Sequence, residues 1–157
     1  MDKKTGRAAG KRGRGGIFSI GYEKKDIGTF LATLVKNDID VLADVRHNPF
    51  SMKFAFIGRR LSESLKKEGI DYMHIPELGI EGRHRKGLET PSDYKRLFSF
   101  YRKSILAANG EKVEMLRELG RSRRVALMCF EMDKGMCHRG VICERLEELS
   151  GAPVTHL

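Results

Sequence analysis

Three cysteines in 157 residues are an odd number and too few for a disulfide framework, which points to a reducing compartment. No apolar run approaches the roughly 20 residues that a membrane helix needs. The N-terminus carries charge but no apolar stretch of the kind a secretory signal requires. The chain is therefore expected to be cytoplasmic and without a membrane partner. Two phosphate-binding fingerprints are also missing. There is no Gly-x-Gly-x-x-Gly after the first apolar run and no Gly-x-x-x-x-Gly-Lys-Ser/Thr anywhere. Neither a dinucleotide nor a P-loop nucleotide is implied, and no cofactor is expected.

What is present is the composition of a globular protein. Apolar residues make up 40% and charged residues 32%, enough to bury a core and too apolar for a disordered chain. The formal charge of +9 is unevenly spread. Residues 1–16 hold six Lys or Arg against one Asp and, after Met1, no apolar side chain larger than alanine. This segment is expected to be a disordered basic tail, followed by one α/β domain over residues 17–157. A tail of this kind is either an electrostatic arm for nucleic acid or a solvated extension that aids solubility, and its composition does not decide between them.

Strand-like and helix-like segments then alternate. Residues 17–22, 41–45, 72–75, 125–130 and 153–157 are apolar runs of strand length. Between them, Ile27, Phe30, Leu31, Leu34 and Val35 recur at helical spacing, and Leu61 with Leu65 marks a short helix that Gly69 can close. Thr90-Pro91-Ser92-Asp93 reads as a capping box with proline at the first helical position. The stripe from Tyr94 to Ile105, the run Val113, Leu116 and Leu119, and the run Ile142, Leu146 and Leu149 predict three further helices. Strands separated by such helices imply a three-layer α/β domain, Rossmann-like or flavodoxin-like, with a mostly parallel sheet covered on both faces.

Open sheets of this class bind ligands beyond the carboxyl ends of their strands. The predicted ends carry Tyr22, Asp44, Arg46 and Glu131, and Cys137-His138-Arg139-Gly140 opens the last helix. A helix N-terminus favours negative charge, Arg139 adds a planar fork suited to phosphate, and Gly140 would admit a ligand close to the backbone. A thiol beside His and Arg at that position is also set for a lowered pKa. Tyr22, Arg46, Glu131, Arg139 and Gly140 are thus candidates for binding an anion, with Cys137, His138 and Asp44 as candidates for catalysis. The bland alternative is an inward-turned rim, with Arg139 tied to Glu131 or Asp44 and Cys137 acting as a small apolar group. Cys129 and Cys143 read as core. The spacing from Cys129 to Cys137-His138 matches no usual structural zinc site, so no metal is expected. The loop at 47–58 combines Pro49, Phe50, Phe54 and Phe56 with Lys53 and the following Arg59 and Arg60. Its phenylalanines either plug the core or stack bases. The basic loop at 76–90 is long enough to be a lid.

The segments at 20–34, 44–56, 70–79 and 127–146 together make the chain resemble the bacterial and archaeal domain-of-unknown-function family 488. The resemblance implies an α/β domain and recurring polar positions at Tyr22, Asp44, Arg46, Pro49, Ser51, Leu78-Gly79, Cys129, Glu131 and Cys137-His138-Arg139. It implies no reaction. The family commonly places a hydroxyl residue after the tyrosine, where this chain has Glu23. A weaker likeness is to rhodanese-type domains, in which a strand ending in Asp-Val-Arg precedes a cysteine loop. Here the arginine stands at a different spacing, ten residues past Cys129 and two past Cys137. Three functions follow as expectations. The first is an enzyme or binder acting on an anionic small molecule, nucleotide or nucleic acid at the rim. The second is a non-catalytic nucleic-acid-binding module, and the third is thiol or metal chemistry at Cys137 with Cys129 as partner.

Overall fold

The computed structural model describes residues 14–157. The expectation of a disordered arm over residues 1–13 lies outside the described residues, and Gly16, assigned to that tail, instead begins the first strand. Five strands, β1 (Gly16–Gly21), β2 (Val41–Asp44), β3 (Asp71–His74), β4 (Arg124–Cys129) and β5 (Thr155–His156), form one sheet in the order β3-β2-β4-β1-β5. Every pairing is parallel. The three-layer class is as expected. The order is neither the 3-2-1-4-5-6 nor the 2-1-3-4-5 arrangement of the two folds named above, because β4 inserts between β1 and β2.

Side chains alternate across each strand, so β1 to β4 feed two separate cores. Phe18, Ile20, Leu42, Ala126 and Met128 pack with Phe30 and Leu34 of α1 (Ile27–Lys36) and Leu61 and Leu65 of α2 (Gly58–Lys67). Val41, Ala43, Val125, Leu127 and Cys129 pack on the opposite face. Their partners there are Leu97 of α3 (Pro91–Phe100), Val113 and Leu116 of α4 (Gly110–Leu119), and Ile142 and Leu146 of α5 (His138–Ser150). The termini follow local chemistry. Asp26 caps α1 by accepting from the Thr29 N–H, and Thr90 and Asp93 form the reciprocal capping box of α3. Gly69, just past α2, has a φ of 72°, which a glycine adopts without strain. The stripe from Tyr94 to Ile105 is helical but not uniformly α: Tyr101–Leu106 is a π turn. There the buried Tyr101 hydroxyl donates to the Leu78 carbonyl at 2.7 Å.

This topology locates the crevice. The crossover after β1 runs through α1 and that after β2 through α2, both on one face, while the crossover after β4 runs through α5 on the other. β4 lies between β1 and β2, so the chains leaving its carboxyl end and those of its neighbours part to opposite sides. That divergence opens a gap at the end of β4, the place where open α/β sheets bind ligands.

Candidate active site at the end of β4

The cleft at this gap has a volume of about 460 Å³ and is lined by Tyr22 from the end of β1, Arg46 after β2, and Cys129, Phe130 and Glu131 at the end of β4. His138 of α5, Arg85 from the loop at 76–90 and the segment 47–53 complete its walls. Segments far apart in sequence therefore converge on one rim. Larger and comparable hollows lie elsewhere on the surface. The switch-point position and the concentration of polar side chains make this the candidate site.

Asp44 and Arg46 form the floor. Asp44 is fully buried and Arg46 nearly so. Arg46 Nε and Nη2 donate to the two oxygens of Asp44 at 2.8 and 2.6 Å, a bidentate pair. Tyr72 Oη donates to Asp44 Oδ2 at 2.6 Å, and Arg46 Nη1 donates to the Phe56 carbonyl at 2.9 Å and to Tyr22 Oη at 3.2 Å. Burial pulls the Arg46 pKa down, but the bond to Asp44 and its charge more than offset this and hold it above its ordinary value. Burial, reinforced by Asp44, pushes the Tyr72 phenol up. Tyr72 is a participant that sequence reasoning missed. It lies opposite Leu42 in the parallel register, two residues before Asp44, and so projects from the same side of the sheet.

Cys137 is the N-cap of α5, and its Sγ accepts from the Arg139 N–H at 3.4 Å. Its sulfur is bonded to that of Cys129. Cys129 is thus core, as expected, and is also the partner of Cys137 that the thiol reading named; a single pair is not a disulfide framework. The signal was available, because Cys129 ends a strand, Cys137 starts the helix that follows, and both ends of that crossover meet at one sheet edge. Cys143, by contrast, is packed in the core as expected, with its thiol pushed up to about 12 by burial.

Arg139 is 2% exposed. Its guanidinium lies over the pair, with Nη1 donating to Cys129 Sγ at 3.4 Å and to the Glu131 carbonyl at 2.9 Å, and Nη2 donating to the Met132 carbonyl at 3.3 Å. Its Nε has no partner. Burial lowers its pKa. Both arginines nominated for an anion thus spend most of their donors inside the protein. Gly140 faces the protein too: a side chain there would strike the Lys134 carbonyl oxygen, so the loop after β4 fills the space. The Glu131 carboxylate points the other way, accepting from Arg85 Nη1 at 3.1 Å, and its Oε2 lies 3.4 Å from Cys129 Sγ.

His138 is 1% exposed, and its Nε2 donates to the Val45 carbonyl at 2.9 Å. Nδ1 therefore carries the lone pair, facing Arg85 Nη2 at 3.3 Å and Cys137 Sγ at 3.8 Å. Burial first, then the charges of Arg85 and Arg139, push its pKa down to about 4. The imidazole is neutral at physiological pH. Arg85, which bridges Glu131 and His138, brings the 76–90 loop onto the rim; this segment folds into short turns at Pro76–Leu78 and Gly82–Arg85. The ligand atoms of Cys129, Glu131 and Cys137 lie within 4.8 Å of one another, close enough to hold a metal ion.

A family model, Domain of unknown function DUF488, matches residues 26–146. Comparison with curated proteins and with solved structures gives no match. Among the described residues no helix is long and apolar enough to cross a membrane.

Proposed function

We propose that this chain, which belongs to the DUF488 family, is a dithiol protein that exchanges electrons with a sulfur-bearing, anionic substrate in the cleft at the end of β4. The observation that carries the reading is the contact of Cys129 and Cys137 sulfurs at the switch point, beneath a buried guanidinium. A helix N-terminus favours negative charge, and at α5 the atom seated there is Cys137 Sγ. The anion that this helix end stabilises is then the Cys137 thiolate of the reduced protein, helped by Arg139. The neutral His138 holds Arg85 and the Val45 carbonyl in place rather than carrying charge.

The step balances as a two-electron exchange. Cys129 lines the cleft and Cys137 does not. Cys129 passes its proton to the neighbouring Cys137 thiolate and attacks one sulfur of a substrate disulfide, forming a mixed disulfide and expelling the other sulfur as a thiolate, which takes up that proton from Cys137. Cys137 then attacks Cys129 Sγ, closing the Cys129–Cys137 bond and releasing the second substrate thiol. The substrate is reduced, the pair is oxidised, and an external dithiol reductant resets it. The charges at the cleft favour an anionic substrate through Lys53, since Asp44 matches Arg46 and Glu131 matches Arg85.

The thiolate absorbance of the reduced full chain, followed against pH, tests this. Its midpoint should fall clearly below the free-thiol value of about 8.5 and should disappear in Cys137→Ser. Cys143 stays silent in this range because its thiol is pushed up to about 12. A midpoint at or above the free-thiol value, or an oxidised protein that consumes no dithiothreitol, overturns the proposal. A metal held by Cys129, Glu131 and Cys137 is the second reading, favoured by their spacing and opposed by the Arg139 guanidinium beside Cys129. Stoichiometric zinc in protein purified without chelator would establish it in place of the first.

A further inference from the structure

The mouth of the cleft carries features that the sulfur pair does not use. Phe50 is 61% exposed, Met52 93% and Phe130 42%, and all three line the cleft. Phe130 is held edge-on against Tyr22, which stacks on the buried Phe56 at 4.4 Å. The phenylalanines of this loop thus divide. Phe56 plugs the core, whereas Phe50 and Phe54 stay outside.

Three cations on or near this apolar mouth make no ion pair among the described residues, although Asp26 acts on Lys53 at longer range. Lys53 Nζ donates to the carbonyls of Tyr22 and Lys25, and Lys25 Nζ to that of Gly21. The Arg60 guanidinium lies over the exposed Phe54 ring at 3.8 Å. None of the three has a carboxylate partner among the salt bridges of the described residues. Exposed flat rings beside cations that form no ion pair suit a polymer that alternates aromatic faces with negative charges. An acidic peptide would match the charge and leave Phe50 and Phe130 without use. A membrane surface would want a broad apolar face, where this structure has a cleft.

We propose that the mouth docks single-stranded nucleic acid, with one base stacked at Phe50 and Phe130 and the adjoining phosphates facing Lys25, Lys53 and Arg60. A cleft of about 460 Å³ has room for one nucleotide-sized group. A base paired in a duplex cannot offer its face to these rings. The docking goes beyond the dithiol reading and does not depend on it.

Fluorescence anisotropy with the full chain tests the proposal, using end-labelled single-stranded RNA and DNA oligomers of equal length. An abasic oligomer of the same length and poly-glutamate serve as comparisons. Phe50→Ala should weaken binding of at least one base-bearing oligomer by about tenfold, within the range of losing one base–aromatic stack, and leave the abasic oligomer unaffected. Arg60→Ala, also at the surface, should reduce the salt dependence of binding. Phe50 is exposed, so its replacement leaves the fold intact, and unchanged far-ultraviolet circular dichroism checks this. Equal affinity for the Phe50→Ala protein, or an abasic oligomer bound as tightly as a base-bearing one, overturns the proposal. Poly-glutamate bound as tightly as the oligomers overturns it in favour of an acidic protein partner. Protein reduced with dithiothreitol and oxidised protein should bind nucleic acid equally well, so failure of the dithiol chemistry and failure of docking show up separately.

Discussion

The buried imidazole of His138 makes stability depend on pH in a defined window. In the folded protein its pKa is pushed from 6.5 to about 4, first by burial and then by the charges of Arg85 and Arg139. The unfolded chain takes up this proton near 6.5, while the native state resists it until about 4. Between these values the unfolded state binds more protons, so stability rises with pH. The contribution is fully present above pH 6.5, shrinks as the pH falls, and is gone at about 4. At 1.36 kcal/mol for each tenfold change in proton affinity, it amounts to about 3 kcal/mol. Urea unfolding of wild type and His138→Gln across this window isolates it. The glutamine amide can still donate to the Val45 carbonyl but does not titrate, so its stability curve should be flatter over the same range. His156, whose pKa is also lowered by burial, acts in the same direction but is common to both proteins and cancels in the difference. Parallel curves for the two proteins would refute the assignment of a buried neutral imidazole.

Two further perturbations probe the rim by chemical denaturation. Asp44→Asn strips the countercharge from the buried Arg46 and should cost about 3–5 kcal/mol, with a smaller loss in the apolar double variant Asp44→Leu/Arg46→Met. Additive losses in that double variant would show that the two side chains do not act as a pair. Gly140→Ala places a methyl against the Lys134 carbonyl and should cost about 1–3 kcal/mol. Gly82→Ala meets nothing within 4 Å and should be neutral within about 0.5 kcal/mol.

How far the sequence reaches depends on whether a signal is local. The helix of residues 27–36 and that of 91–100 announce themselves through a cap and an apolar period, both contained in a dozen residues. The α/β class follows because strand and helix alternate. Strand order does not follow, since the insertion of β4 between β1 and β2 is decided by pairings more than 80 residues apart in the chain. The rim residues were legible by the same reasoning: a polar group just past an apolar strand is at a sheet end wherever that strand lies. Tyr22, Arg46, Glu131 and His138 do meet at one cleft. The direction each side chain takes was not legible. Asp44 and Arg46 stand two residues apart and could both have faced a ligand, but a buried carboxylate without a partner is costly, and the nearest fork satisfies it.

The inward turn of the two arginines changes what the rim is equipped to do. A guanidinium free to meet phosphate must keep its donors open, whereas Arg46 has three nitrogens engaged and Arg139 has two. The charge nonetheless remains beneath the cleft floor. For Arg46 it is matched by Asp44. For Arg139 the guanidinium bonds are to carbonyls and sulfur, and Glu131's carboxylate is turned to Arg85. Glu131 and Asp133 act on Arg139 without a bond to its guanidinium. Buried positive charge without a bonded carboxylate is costly, and the contacting groups that can offset it are the neighbouring sulfurs once ionised. A thiolate on Cys129 or Cys137 would give Arg139 the counterion that it lacks in the bonded state. Reduction of the pair then relieves an electrostatic cost that oxidation imposes, which biases the site toward the dithiol. Removing the guanidinium should therefore make the Cys129–Cys137 bond harder to reduce. Arg139→Leu, equilibrated against dithiothreitol, should show a larger oxidised fraction than wild type at the same reductant concentration. The same fraction in both proteins would mean that Arg139 only braces the loop after β4.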